Sequence, residues 1–272
     1  MTISEIQEQS LSILQSVHDF CIAQDIKYSL AYGTLIGAIR HKGFIPWDDD
    51  IDILMPRPDY ERFVNSFSAP GLRLVCEKDP DYFLNYCRVY DTIKTGSTTI
   101  LPAGIDNPGG VWIDVFPADG VSDNKDDFAR NVDQVRMNWM KQLRYRYSLI
   151  SFRNIIRTCG PKDLFILTAI KLSGQARKRL DMNNAIIRKN ATQIPFGSTA
   201  HWSQLTVLDD GVRNYQLVED FEETVDVGFE GRTFKMMKGY DRVLRNIYGD
   251  YMQLPPEDQR QPKHGHTTFF WK

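Results

Sequence analysis

Residues 27–55, KYSLAYGTLIGAIRHKGFIPWDDDIDILM, hold a Gly-Thr pair, a basic and aromatic loop, and four carboxylates within five positions. β-branched, aromatic and aliphatic residues crowd Ile26 to Tyr32, which is strand composition. Gly33 and Thr34 break that strand before the short apolar run Leu35 to Ile39. A strand that stops at Gly-Thr and enters a helix leaves backbone N–H groups without intrahelical partners. With a Thr hydroxyl beside them, those groups suit an anionic phosphate oxygen.

After the loop His41 to Trp47, Asp50 to Met55 reads as an extended run whose side chains alternate between faces. Asp50 and Asp52 then share a face, with α-carbons about 7 Å apart, while Ile51 and Ile53 turn to a core. Two carboxylates so placed call for a positive partner, and a hard cation with oxygen ligands is one solution. The competing reading is a solvated acidic turn of Asp48, Asp49, Asp50 and Asp52, and an Asp-x-Asp alone does not separate the two. A further carboxylate bears on the choice. In GGVWIDVFPADG, alternation puts Trp112, Asp114 and Phe116 on one strand face, where a charge seldom lies unpaired. Asp114 is therefore either a third metal carboxylate or the partner of an Arg.

Gly33, Thr34, Asp50, Asp52 and Asp114 together form a phosphate cradle and three carboxylates, the constellation of metal-assisted phosphoryl or nucleotidyl transfer. Asp50, Asp52 and Asp114 are the candidate catalytic and metal-binding residues. Arg40 and His41 could neutralise charge on a leaving group or simply be solvated. Trp47 walls the site or caps the core, Asp49 sits inside the acidic run, and Arg88 in CRVYD reaches a phosphate or makes a structural ion pair. These, with Gly33 and Thr34, are the candidate substrate contacts.

AYGTLIGAIRHKGFIPWDDDIDILMPRPDYERF, WIDVFPADG and KGYDRVLRNIYGDYMQLPPEDQR resemble the LicD family of bacterial phosphorylcholine transferases, which is similar to the fukutin-related transferases. The matches run from about Ile26 to Asp119 and from about Phe229 to His264, in the family's order. The resemblance implies an α+β fold: a nucleotidyltransferase-like mixed sheet with flanking helices and a helical insertion. It also implies CDP-choline as donor, Mg²⁺ or Mn²⁺ as cofactor, and as acceptor a surface glycan of teichoic acid or lipopolysaccharide type, or its lipid-linked precursor. It adds Arg260 and His264 as substrate contacts, although on the residues alone the polar tail reads rather as a frayed end. A donor such as CDP-ribitol or CDP-glycerol would keep the same site without an ammonium box, and a non-catalytic nucleotide- or membrane-binding module is the reading of another class. For choline, Trp47, Tyr82, Tyr86, Tyr90, Trp112 and Phe269 to Trp271 are all candidates for such a box.

Three parts are expected: a catalytic core over 1–120, a mostly helical basic subdomain over 121–227, and a C-terminal segment over 228–272 packing back on the core. From Arg136 to Asn190 there are 13 Lys and Arg against Asp163 and Asp181, a local +11, whereas the rest of the chain carries −13. Helical patterning at about Asp126–Tyr147 and Leu164–Lys189, with DLFILTAIKL between basic flanks, allows contact of 136–190 with an anionic membrane surface or an ordinary solvated helical unit. Basic charge alone does not make a nucleic-acid site. With 42% hydrophobic and 25% charged residues, the composition is that of a globular protein. The first 20 residues lack a basic and apolar leader, no 18-residue apolar run occurs, and four cysteines are widely spaced. The expectation is a reduced cytoplasmic protein, at the inner face of the cell membrane if the basic helices dock.

Overall fold

The computed structural model describes residues 1–79, 82, 84–99, 109–149, 152–158, 160–207, 210–261 and 267–272. The chain opens with helix α1 (Ile3–Ala23), started by a capping box in which Thr2 and Glu5 satisfy each other's backbone N–H. Its buried stripe of Ile6, Leu11, Leu14, Val17 and Cys21 covers the sheet that follows. Strand β1 (Ser29–Leu30), helix α2 (Tyr32–Arg40), strand β2 (Asp52–Pro56) and helix α3 (Arg57–Ser66) form the next unit. Then come β3 (Leu72–Val75), β4 (Cys87–Asp91), β5 (Thr95–Thr99) and the long β6 (Trp112–Val121).

The sheet order is β1-β2-β6-β4-β3. β2 and β6 run parallel, and the other pairs are antiparallel. The protein is thus of the α+β class, with a mixed sheet and flanking helices.

All ten residues of β6 are buried, so it is the central strand. The sequence suggests that Phe116-Pro117 ends this strand and leaves Asp119 in a loop. Instead β6 continues through Pro117, and the reason is a change of neighbour. β4 pairs with Trp112 to Val115 and a later strand pairs with Asp119 to Val121, so Pro117 falls where no antiparallel partner needs its missing N–H. Asp119 is 1% exposed and forms a two-point ion pair with Arg57 of α3, at 2.6 and 2.8 Å.

Helices α4 (Lys125–Leu149), α5 (Phe152–Thr158), α6 (Pro161–Leu172) and α7 (Ala176–Ala191) fill the middle of the chain. The patterning over Leu164–Lys189 is split between α6 and α7 by Gly174, whose φ of 65° a side chain would disfavour. α4 packs on α7 through Phe128, Val132, Val135, Ile187 and Ala191. Asn183 donates to the Asn138 carbonyl, and Gln142 donates to Asn184.

Strands β7 (His201–Ser203) and β8 (Gln216–Leu217) extend the sheet beside the far half of β6. Helix α8 (Glu219–Glu222) precedes a hairpin of β9 (Thr224–Phe229) and β10 (Arg232–Met237), turned at Glu230-Gly231 with both φ positive, as a tight two-residue turn requires. Helix α9 (Tyr240–Tyr248) stops at Gly249, φ 71°.

The C-terminus corrects the expectation of a frayed end. Strand β11 (Thr267–Trp271) pairs with β5 over five residues. Phe269 packs on Trp112 at 5.0 Å, the Met1 ammonium donates to the Phe269 carbonyl at 2.8 Å, and the Trp271 indole donates to Glu5. The last strand therefore ties both chain ends to the core. Truncating the 6% exposed Phe269 to Ala should cost about 3–5 kcal/mol. That corresponds to a thermal midpoint lower by roughly 10 °C, and an unchanged melting curve would refute this anchoring.

Candidate metal and nucleotide site

The site is assembled at the turn from β1 into α2. Ala31 N–H donates to the Asp52 carbonyl at 3.0 Å, and Asp52 N–H donates to the Thr34 hydroxyl at 2.9 Å. The first turn of α2 is therefore fastened to the start of β2. β1 is shorter than the sequence suggests, and Gly33 and Thr34 lie inside α2 rather than before it. The first-turn N–H groups of Gly33 and Thr34 still sit where a helix offers donors to an anion.

Gly33 has a specific reason to be glycine, because a Cβ there would lie 2.6 Å from Asp48 Oδ2. Tyr32, immediately before it, holds a φ of 47°, uncommon for a residue with a side chain.

One carboxylate oxygen each from Asp48, Asp49 and Asp50 lies within 4.8 Å of the others. Asp50 precedes β2, so the alternation that would align it with Asp52 does not reach it. Sheet pairing begins with the Ile51 carbonyl, which accepts from Asp114 N–H at 2.9 Å. Asp52 and Asp114 are register partners on neighbouring parallel strands, about 5 Å apart along the hydrogen-bonding direction. The all-oxygen donor set of Asp48, Asp49 and Asp50 suits a hard divalent ion, and among the described residues Asp52 and Asp114 do not join that close group. Sequence reading singled out Asp50, Asp52 and Asp114 but gave Asp48 no role, and its contact with Gly33 appears only in three dimensions.

Asp114 is 4% exposed, and Arg88 Nε meets its Oδ1 at 2.5 Å. Of the two readings for Arg88, the ion pair is the contact observed. The Arg88 guanidinium lies 4.6 Å above the Trp112 ring and 5.7 Å from that of Tyr86, and donates to the Tyr86 hydroxyl. Burial, the largest single influence, would lower its pKa, but the Asp114 carboxylate together with Tyr86, Tyr90 and Tyr82 outweighs it and raises the pKa well above the ordinary value. Part of the suspected ammonium box thus already holds a protein cation.

Arg40 donates to the Tyr251 and Gln253 carbonyls at 2.7 and 3.0 Å and to the His41 ring. The His41 pKa is lowered by burial and by neighbouring Arg40. Arg260 lies 5.5 Å over Trp47 and is held by the Pro255 carbonyl. His264 lies outside the described residues.

Sequence reading missed Tyr248 and Asp210. Burial raises the Tyr248 hydroxyl well above its usual pKa, and the charges of Asp210, Asp52 and Asp48 add to this. Tyr248 is 42% exposed as a residue, and the influence of Asp52 and Asp48 puts its hydroxyl in the neighbourhood of the acidic run. Its only signal in the sequence is the end of an amphipathic helix.

A mixed sheet with carboxylates in register on two parallel strands, facing the first turn of a helix, defines a nucleotidyltransferase-like protein. The family described as LicD/FKTN/FKRP, nucleotidyltransferase domain, matches residues 25–148. The lipopolysaccharide cholinephosphotransferase LicD of Haemophilus influenzae is 34% identical over 268 residues, covering 97% of this chain and 96% of that protein. Uncharacterised proteins of Rickettsia typhi and Rickettsia prowazekii are 37% and 46% identical over 76 and 85 residues, covering 26% and 30% of this chain and 25% and 28% of theirs. The chain belongs to the LicD/FKTN/FKRP family.

The buried pair makes a direct prediction. Arg88→Met leaves Asp114 buried without its cation and should destabilise the fold by about 3–5 kcal/mol in denaturant unfolding. Arg88→Met combined with Asp114→Leu should recover much of that loss. A double variant as unstable as the single one would show that the pair is not what holds this part of the sheet.

Proposed function

We propose that the protein transfers phosphorylcholine from CDP-choline to a sugar hydroxyl of a lipopolysaccharide- or teichoic-acid-type glycan, or its lipid-linked precursor, releasing CMP. The carrying observation is the register of Asp52 with Asp114 beside the Asp48–Asp50 cluster and the first turn of α2. The full-length likeness to a lipopolysaccharide cholinephosphotransferase supports the choice of reaction.

Mg²⁺ or Mn²⁺ bound here would supply a Lewis acid for the donor diphosphate. Asp50 and Asp52, with Asp48, Asp49 and Asp114 around them, would hold it. The N–H groups of Gly33 and Thr34 bind phosphate oxygens, and Arg40 and His41 edge the leaving-group side with Trp47 and Arg260. Asp114, kept in place by Arg88, orients the acceptor hydroxyl, whose proton passes to the carboxylates as its oxygen attacks phosphorus. The bond from that phosphorus to CMP then breaks. Positioning and electrostatics supply most of the rate in such a site.

One observation favours a second reading. Arg88 already faces Trp112 and Tyr86, so an uncharged alcohol, as in CDP-ribitol or CDP-glycerol, would need no ammonium box in this part of the site. A panel of CDP-alcohols with Mg²⁺ and a glycan acceptor, read as CMP release, separates the two. CDP-choline should turn over fastest, chelation should stop release, and Asp52→Ala should reduce it by at least about a hundredfold. A fully active Asp52→Ala would refute the site, and no turnover of any donor would favour a binding module.

We also propose that the basic helices dock on an anionic membrane at its cytoplasmic face. No helix of the described residues is long and apolar enough to cross a bilayer. Phe165 and Leu172 on α6 are nonetheless 78% and 74% exposed, share one helix face, and lie within the strongly basic stretch. The protein should sediment with phosphatidylglycerol vesicles at low salt and not with phosphatidylcholine ones. Glu at both positions should abolish this, and undiminished sedimentation of that variant would exclude the contact.

A further inference from the structure

Tyr32 sits at the junction on which the site depends, and its hydroxyl is held from far along the chain. Asn214 Nδ2 donates to Tyr32 Oη at 3.3 Å. Gln216 Nε2 in turn donates to Asn214 Oδ1 at 3.5 Å and to the Arg213 carbonyl at 3.3 Å. Asn246 of α9 donates to Gln216 Oε1 at 2.9 Å. Asn214 is 2% exposed and Gln216 fully buried, so these two amides pair where water does not compete, while Asn246 is exposed and joins them to the surface of α9. The Tyr32 ring also meets Phe116 edge-on at 5.8 Å, and Phe116 lies two residues beyond Asp114 on the same face of β6.

We infer that the buried pair Gln216–Asn214, backed from the surface by Asn246, positions Tyr32, and through it the turn that fixes Asp52, for the transfer reaction. The inference rests on the transferase reading of the site. Its physical basis is the backbone of Tyr32. A φ of 47° is an unfavourable conformation for tyrosine and persists only where surrounding contacts over-determine it. Phe116 fixes the ring, Asn214 fixes the hydroxyl, and the neighbouring Ala31 and Thr34 grip the backbone of Asp52 on both of its polar groups. Releasing the hydroxyl frees the ring to turn, and the backbone can then relax at the expense of the Asp52 carboxylate's aim.

None of the three amides lies within residues 25–148, the span matched by the nucleotidyltransferase domain. Tyr32, Asn214 and the amides behind it are positioning residues, because they act through Asp52.

Asn214→Leu is near-isosteric, and Tyr32→Phe removes only the hydroxyl. Both should lower kcat for CMP release by roughly tenfold to a hundredfold, with little change in KM for the donor. Mn²⁺ affinity, titrated calorimetrically on the same proteins without donor, should weaken by roughly tenfold. The double variant should be no worse than the poorer single one, since both break one linkage. Circular dichroism melts establish that each variant is folded, and Tyr32→Phe stands in if Asn214→Leu is not. Folded variants with wild-type kcat and Mn²⁺ affinity, or strictly additive losses in the double variant, would overturn the inference. Absence of CMP release from the wild type would instead fail the transferase reading, and Mn²⁺ affinity then decides the positioning claim alone.

Discussion

The pairing of β2 with β6 is the constraint from which the site follows. These are the parallel strands of the sheet, and each brings a carboxylate to the same level, Asp52 opposite Asp114. A slip of one residue would turn one of those carboxylates to the other face and an isoleucine towards the site. The register is fixed at its first rung, where Asp114 N–H meets the Ile51 carbonyl. It is fixed again from the side by α2, which holds the Asp52 backbone through Ala31 and Thr34. Apolar burial of Ile51, Ile53, Val115 and Ile113 on either side leaves little room for another alignment.

A fully buried central strand that carries two carboxylates needs cations, and the sheet provides one for each. Arg88, the cross-strand partner of Asp114 on β4, meets it near the site, and Arg57 meets Asp119 at the other end. Asp114 and Asp119 are an odd number of residues apart, so they face opposite sides of the sheet and their partners come from different layers. Such pairs add little net stability over a well-packed apolar substitute, because desolvation offsets their attraction. What they secure is orientation. Asp119 fixes α3 to the sheet, whereas Asp114 is held immobile within reach of Asp52, which is what positioning catalysis asks of a carboxylate.

Local chemistry made some of this legible in the sequence. The passage from strand to helix around Gly33-Thr34, the acidic run and Asp114 on a strand all follow from nearest neighbours. What was not legible depends on residues distant in sequence. Pro117 reads as a strand end because sequence does not show that β6 changes partner at that point. The tail reads as frayed because Thr95 to Thr99, its partner, is polar and carries no apolar alternation. Asp48 acquires a role only once Gly33 is seen against it, and Arg88 could be assigned to Asp114 only once β4 and β6 were paired.

The same distinction explains why a domain boundary after residue 148 does not describe the site. The loop after α2 is pinned by the later hairpin: Glu230 accepts from Phe44 N–H and donates its own N–H to the Lys42 carbonyl. A Cβ on Gly43 would strike the Glu230 carboxylate, so loop and hairpin fit at van der Waals contact. Arg40 is held by carbonyls of Tyr251 and Gln253, and Tyr32 by Asn214. Five hydrogen bonds that shape the surroundings of Asp48 to Asp52 therefore come from the last third of the chain. Likeness to the Haemophilus influenzae protein over 97% of the sequence, rather than over the nucleotidyltransferase span alone, is what such a shared construction would require.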